Sequence, residues 1–158
     1  MTAVLRWTGL KKLISFYRYF AFNAPQVTTA VGIALLLGIA VIRLYLLIGT
    51  IVLPAYLSVY FALLAAAALL ASVGMVLMRR PVLTRVGWAL GSLLSAVSIV
   101  VYVVSRTAGL PGLPQLVQRW DYPLGTFAMA LAVLFLTLHF SVLTGMNVAV
   151  PQRRDWHD

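Results

Sequence analysis

The sequence predicts an all-α integral membrane protein: a four-helix bundle preceded by an N-terminal amphipathic helix in the membrane interface. Three observations predict it. Hydrophobic residues make up 63% of the chain and charged residues 9%, where soluble domains carry about 45–50% and about 25%. Four apolar stretches each reach the roughly 20 residues that a spanning helix needs. Apart from Arg43, the basic residues fall at the ends of these stretches or between them. The mean hydropathy is +1.00, and the 158 residues suit a single transmembrane domain covering 1–158.

The elements follow in chain order. Over residues 3–22, Leu10, Leu13, Ile14, Tyr17, Phe20 and Ala21 recur at helical spacing, with Lys11, Ser15 and Arg18 on another face. That pattern suits a helix lying in the interface rather than crossing it. Pro25 ends it, because a proline disfavours helical geometry at the preceding residue. The first span is expected at about 28–51 and the second at about 55–78, separated by Pro54. A short basic turn, "RRPVLTR", precedes the third span at about 86–104. A long polar loop leads to the fourth span at about 124–148, and "PQRRDWHD" is a polar tail. The spans do not align as inverted halves.

Charge gives the orientation. Twelve Lys/Arg stand against three Asp/Glu, for a formal net charge of +9. In a soluble protein that balance would suggest nucleic acid. Here it reads as topology and contact with anionic headgroups, and no nucleic-acid partner is expected. Nine basic residues lie in the N-terminal segment, the second-to-third connection and the tail; at most three, Arg43, Arg106 and Arg119, belong to the other side. Basic residues prefer the cytoplasmic side, so both termini are expected in the cytoplasm and the chain in the cell's inner membrane. The basic residues interleaved through the N-terminal segment also argue against a signal peptide. With no cysteine, disulfides, thiolate chemistry and Cys-ligated metals are excluded.

The loop "SRTAGLPGLPQLVQRWDYPLG" is then expected on the outer face. Gly109, Pro111, Gly112 and Pro114 favour successive turns, and "LPQLVQRW" suits a short interfacial helix. Trp120 and Tyr122 suit the headgroup level. Asp121 is the only acid outside the tail, and it is expected to pair with Arg106 or Arg119. Arg106, Trp120 and Asp121 are therefore expected to contact a partner or lipid, together with Arg43.

Arg43 is the unusual residue within a span. An arginine at mid-bilayer carries an insertion penalty of about 2.5–3.5 kcal/mol. Arg43 lies toward the outer end of its span, so snorkelling to the headgroups is the expected solution. Failing that, it needs a lipid phosphate or a partner's carboxylate, because no span contains an acid. His139 is a candidate ligand for haem or a quinone. The other histidine, His157, is in the tail, so a packing role for His139 is the simpler expectation, with no cofactor. Without an intramembrane carboxylate, the proton-coupled mechanism of small multidrug exporters is not available. No Ser-His-Asp set or metal-ligand spacing is present, and no enzymatic activity is expected.

Small residues recur every four positions at Gly87, Gly91 and Ser95, at Ser58, Ala62 and Ala66, and at Ala128 and Ala132. Such stripes let helices approach closely in lipid. With three stripes on four helices, one is available to a partner.

The loop residues Ser105, Arg106, Thr107, Gly109, Leu110, Pro111 and Gly112, followed by Trp120, Pro123, Leu124 and Gly125, resemble a pattern in small four-helix membrane proteins of high-GC bacteria. The stretch 105–125 is roughly a seventh of the chain. The resemblance implies the four-span topology and carries no activity with it. Members of that group often have an acid in the last helix, which is absent here. The leading expectation is a non-catalytic accessory subunit of a larger membrane complex, respiratory or otherwise energy-converting. The alternative is a small binding or transport protein for a lipid, quinone or other apolar ligand, which a cavity lined by Arg43, His139 and aromatic side chains would favour.

Overall fold

The computed structural model describes residues 25–49, 54–77 and 81–147. The expected interfacial helix at 3–22 and the tail lie outside the described residues. Four α-helices form among the described residues: α1 (Pro25–Ile48), α2 (Ala55–Val76), α3 (Pro81–Thr107) and α4 (Pro123–Leu143). All four are long and apolar enough to cross a membrane. Each packs on its neighbour in the chain, and α1 also packs on α4. The result is an up-down-up-down ring in which α1 and α3 stand on one diagonal.

Proline marks the start of every helix. Pro25, Pro81 and Pro123 are first residues, and Pro54 directly precedes α2. The first turn of a helix has no use for the missing N–H, and proline's fixed φ suits it. This explains why α3 begins earlier than the sequence suggested: Pro81 opens the helix instead of shaping a turn before it. α3 also runs three residues past the expected end at 104. Ser105 Oγ donates to Tyr102 O at 2.6 Å and Thr107 Oγ1 to Val103 O at 2.9 Å, so both hydroxyls are satisfied inside the helix. Its 27 residues measure about 40 Å, more than the roughly 30 Å of a hydrocarbon core. Gly109, at φ 82°, then turns the chain away, its N–H returning to Val104 O at 3.0 Å.

The main core joins all four helices through Leu36, Ala40, Leu64, Ala68, Ala71, Met75, Trp88 and Phe135. Trp88 stacks on Phe135 with centroids 5.4 Å apart. Two glycines of α3 make the approach possible. A Cβ at Gly87 would stand 2.8 Å from Ala71 O, and one at Gly91 would stand 2.6 Å from Phe135 Cζ. Ser95, the third member of that stripe, is fully buried, as is Ala132, and Ala128 nearly so. Two of the three small-residue stripes therefore pack within the chain. In the third, Ala62 and Ala66 are exposed and Ser58 is half-buried.

The outer surface is apolar. Leu143, Val82 and Leu70 are among many large side chains left uncovered. Against acyl chains such a surface carries no hydrophobic penalty, and helix association rests on close packing of the interior.

Candidate functional site

The antiparallel ring places the C-terminal ends of α1 and α3 at the same end of the bundle. The 108–122 loop lies at that end too. Arg43 stands five residues before the end of α1, and Arg106 one residue before the end of α3. Both are buried, at 8% and 4% exposure. They line one cavity of about 190 Å³. All four helices contribute to its wall, through Leu46, Leu57, Tyr60, Val101, Tyr102 and Gly125 among others, and Leu110, Leu113 and Leu116 of the loop roof it.

Arg43 occupies a core position. It continues the buried row Leu36, Ile39, Ala40 along α1, so the helix aims it at the bundle interior. Snorkelling, the expected solution, does not occur. Its guanidinium carbon instead lies 5.0 Å from the ring centroid of Phe61 and 5.7 Å from that of Tyr60. Nε is buried without a hydrogen-bond partner.

Arg106 is arranged in the same way from the opposite helix. It lies 5.1 Å from the centroid of Tyr102 and 5.9 Å from that of Tyr122. Nη1 donates to Leu116 O at 3.1 Å, and Nε again has no partner. Glycine at 125 leaves it space, since a Cβ there would stand 2.9 Å from the Tyr102 ring and 3.5 Å from Arg106 Nη2. The expected ion pair with Asp121 does not form: Asp121 is exposed, and Arg106 turns inward to the loop carbonyl.

The loop is fixed over the cavity by its backbone. Gln118 N–H donates to Arg106 O at 2.9 Å, and Tyr56 OH donates to Pro111 O at 2.6 Å. Tyr102 OH and Thr126 Oγ1 are 2.8 Å apart. Leu113 is buried against Leu57 and Phe61. The expected turns are present, with Gly109 and Gly112 both at positive φ. The expected interfacial helix is reduced to one 3₁₀ turn, Pro114–Leu116. Trp120 is half exposed and meets Tyr102 edge-on at 6.0 Å.

The electrostatics of the cavity are one-sided. Two permanent cations face a space lined mostly by apolar side chains, and among the described residues no acidic side chain lines it. Cation–π contacts return about 0.5–2 kcal/mol each. Desolvating an ion without a counter-charge costs several kcal/mol. The aromatic faces therefore offset only part of the penalty, and an anion would supply the rest.

His139 lies elsewhere. Its Nδ1 is hydrogen-bonded to Ser92 Oγ, and its ring stacks on Trp88 at 5.4 Å. With Ser92, Leu136, Thr137, Phe140 and Leu143 it lines a separate open groove. The ligand site imagined from Arg43 and His139 together is thus divided between two places. Among the described residues, no group of three His, Cys, Asp or Glu side chains could hold a metal.

What the sequence reading missed is the partnership of Arg43 with Arg106. The signal was available: with antiparallel neighbours, a residue near the end of the first span shares a level with one near the end of the third. Comparison of the chain with protein-family models, curated proteins and solved structures gives no match.

Proposed function

We propose that this chain is a non-catalytic membrane protein that binds an amphiphilic, lipid-like molecule. The observation that carries this reading is the roofed cavity with two buried arginines and, among the described residues, no acid in its wall. At about 190 Å³ it is smaller than the roughly 300–1,000 Å³ of a drug-sized site. It exceeds the roughly 150 Å³ of an apolar cavity that admits benzene. It suits one headgroup or one segment of a larger molecule whose remainder stays in the bilayer. The proposed setting is the cell's inner membrane, with both termini cytoplasmic and the cavity at the outer end.

A second reading, an accessory subunit of a larger membrane complex, is favoured by the uncovered Ala62 and Ala66 of the α2 stripe. The two readings are compatible, since a subunit can hold a lipid.

The test is retention of a ligand. Val101 lines the cavity, and Val101→Trp should fill it. Purified protein is washed through delipidating detergent, and native mass spectrometry then looks for a bound amphiphile. The expected result is one tightly held molecule on the wild-type protein and none on the filled variant. Equal retention by both would sink the cavity as the binding site.

A further inference from the structure

The charge of the cavity specifies the head of its ligand. We infer that Arg43 and Arg106 together clamp a phosphate monoester dianion; this rests on the ligand-binding reading above.

Three observations converge on it. First, the cations come from α1 and α3, on opposite corners of the ring, and both line the same cavity. A group held there meets guanidinium N–H donors from two directions. A carboxylate has two oxygens in one plane; one bidentate arginine takes the shared edge and leaves a second fork no matching edge. A phosphate monoester has three terminal oxygens arranged tetrahedrally, enough for two separate forks. Second, donor capacity is left over. Each arginine has a buried Nε without a hydrogen-bond partner among the described residues, and Arg43 lies over two ring faces. Of the six such buried atoms among the described residues, these two are the ones that belong to charged groups, whose burial without a counter-charge costs the most. Third, the charge count is two. Among the described residues no acid lines the wall: Asp121, the one acid there, is exposed. A diester phosphate or a carboxylate would leave one buried positive charge uncompensated. A monoester, with a second pKa of about 6 in water, reaches two negative charges at neutral pH, and two cations in one cavity favour that form.

The cavity holds the head alone. A monoester on an apolar chain and a free phosphate share this chemistry, and the experiment separates them. The wild-type protein in dodecyl maltoside is titrated with four short-chain probes: dioctanoyl phosphatidic acid (a monoester), dioctanoyl phosphatidylglycerol (a diester), dioctanoyl phosphatidylcholine (a zwitterion) and inorganic phosphate. Binding is followed calorimetrically at neutral pH. The monoester lipid should bind at least tenfold more tightly than either other lipid. Arg43→Gln and Arg106→Gln should each remove that preference, with Arg43→Lys and Arg106→Lys retaining part of it. The ranking on wild-type protein needs no variant, so a variant that fails to fold leaves the test intact.

Inorganic phosphate binding at least tenfold more weakly than the monoester lipid would support the clamp and assign the site to a lipid headgroup. Inorganic phosphate binding as tightly would also support the clamp, while overturning the amphiphilic ligand. Equal affinity for the three lipids, lost on Val101→Trp, would overturn the dianion clamp and leave the lipid-binding cavity standing. Binding of none of the four probes would overturn the clamp, and whether Val101→Trp changes retention in the mass spectrometer would then decide the parent reading separately.

Discussion

Arg106 donates from Nη1 to the carbonyl of Leu116, ten residues on, at 3.1 Å. That contact, with Gln118 N–H donating to Arg106 O, ties the loop to the end of α3 through its backbone. Asp121 has no part in it and remains exposed.

Asp121→Asn should therefore leave the thermal midpoint in detergent unchanged within error, as exposed substitutions away from special features stay within about 0.5 kcal/mol. Arg106→Ala, by contrast, should loosen the loop and raise its protease sensitivity. A matching loss in both variants would restore the ion pair as the organising contact.

The floor between α2 and α3 gives a stability prediction. A Cβ at Gly87 would press on backbone, 2.8 Å from Ala71 O and 2.9 Å from Met75 N. Backbone cannot yield as a side-chain tip can. Gly87→Ala should lower stability by about 1–3 kcal/mol, the usual range for overpacking. Ala62→Gly, on an exposed face of α2, should lower it by no more than the helix-propensity difference of about 1 kcal/mol. Reversible unfolding in mixed micelles measures both. If Ala62→Gly also disrupts a complex seen before purification, the accessory-subunit reading gains its first direct support.

Gly125 offers a gentler change at the cavity. A Cβ there meets the rims of Tyr102 and Tyr122 and comes within 3.5 Å of Arg106 Nη2. Gly125→Ala should displace the Arg106 guanidinium by a few tenths of an ångström and weaken ligand retention several-fold while the bundle survives. Undiminished retention, with a normal melting midpoint, would show that Arg106 need not hold its place.

The number of spanning helices and their rough positions were legible because both depend on local composition: twenty apolar residues and a proline are visible without knowing any neighbour. The interior was less legible. Ser58, Ala62 and Ala66 resemble Gly87, Gly91 and Ser95 as strings, yet Ala62 and Ala66 face outward and Gly87, Gly91 and Ser95 face inward. In a helix apolar all round, periodicity does not say which face is inside. Arg43 shows the same limit. Its level along α1 was read correctly, but its direction depends on α2 supplying Tyr60 and Phe61 opposite it. Asp121 and Arg106 are close in sequence and opposite in charge, which made an ion pair the natural expectation. The cavity drew Arg106 inward because its partners, Tyr102, Tyr122 and the Leu116 carbonyl, surround it on three sides.

The leaflet that would supply the proposed ligand follows from orientation, and orientation can be measured in this cysteine-free chain. Nine basic residues belong to the end of the bundle that carries both termini in the proposed topology, and at most three to the end that carries the cavity. That bias is the ground for proposing that the cavity lies at the outer surface. Single cysteines introduced as Gln115→Cys and Gln152→Cys report the two sides. On intact cells an impermeant thiol reagent should label the first and spare the second, and permeabilisation should expose the second. Labelling at 152 and not at 115 would reverse the protein in the membrane. The two-arginine cavity would then open toward the cytoplasmic leaflet, where anionic lipids attract basic segments. The clamp itself would be unaffected, because it depends on Arg43 and Arg106 sharing one cavity, whichever side of the membrane that cavity faces.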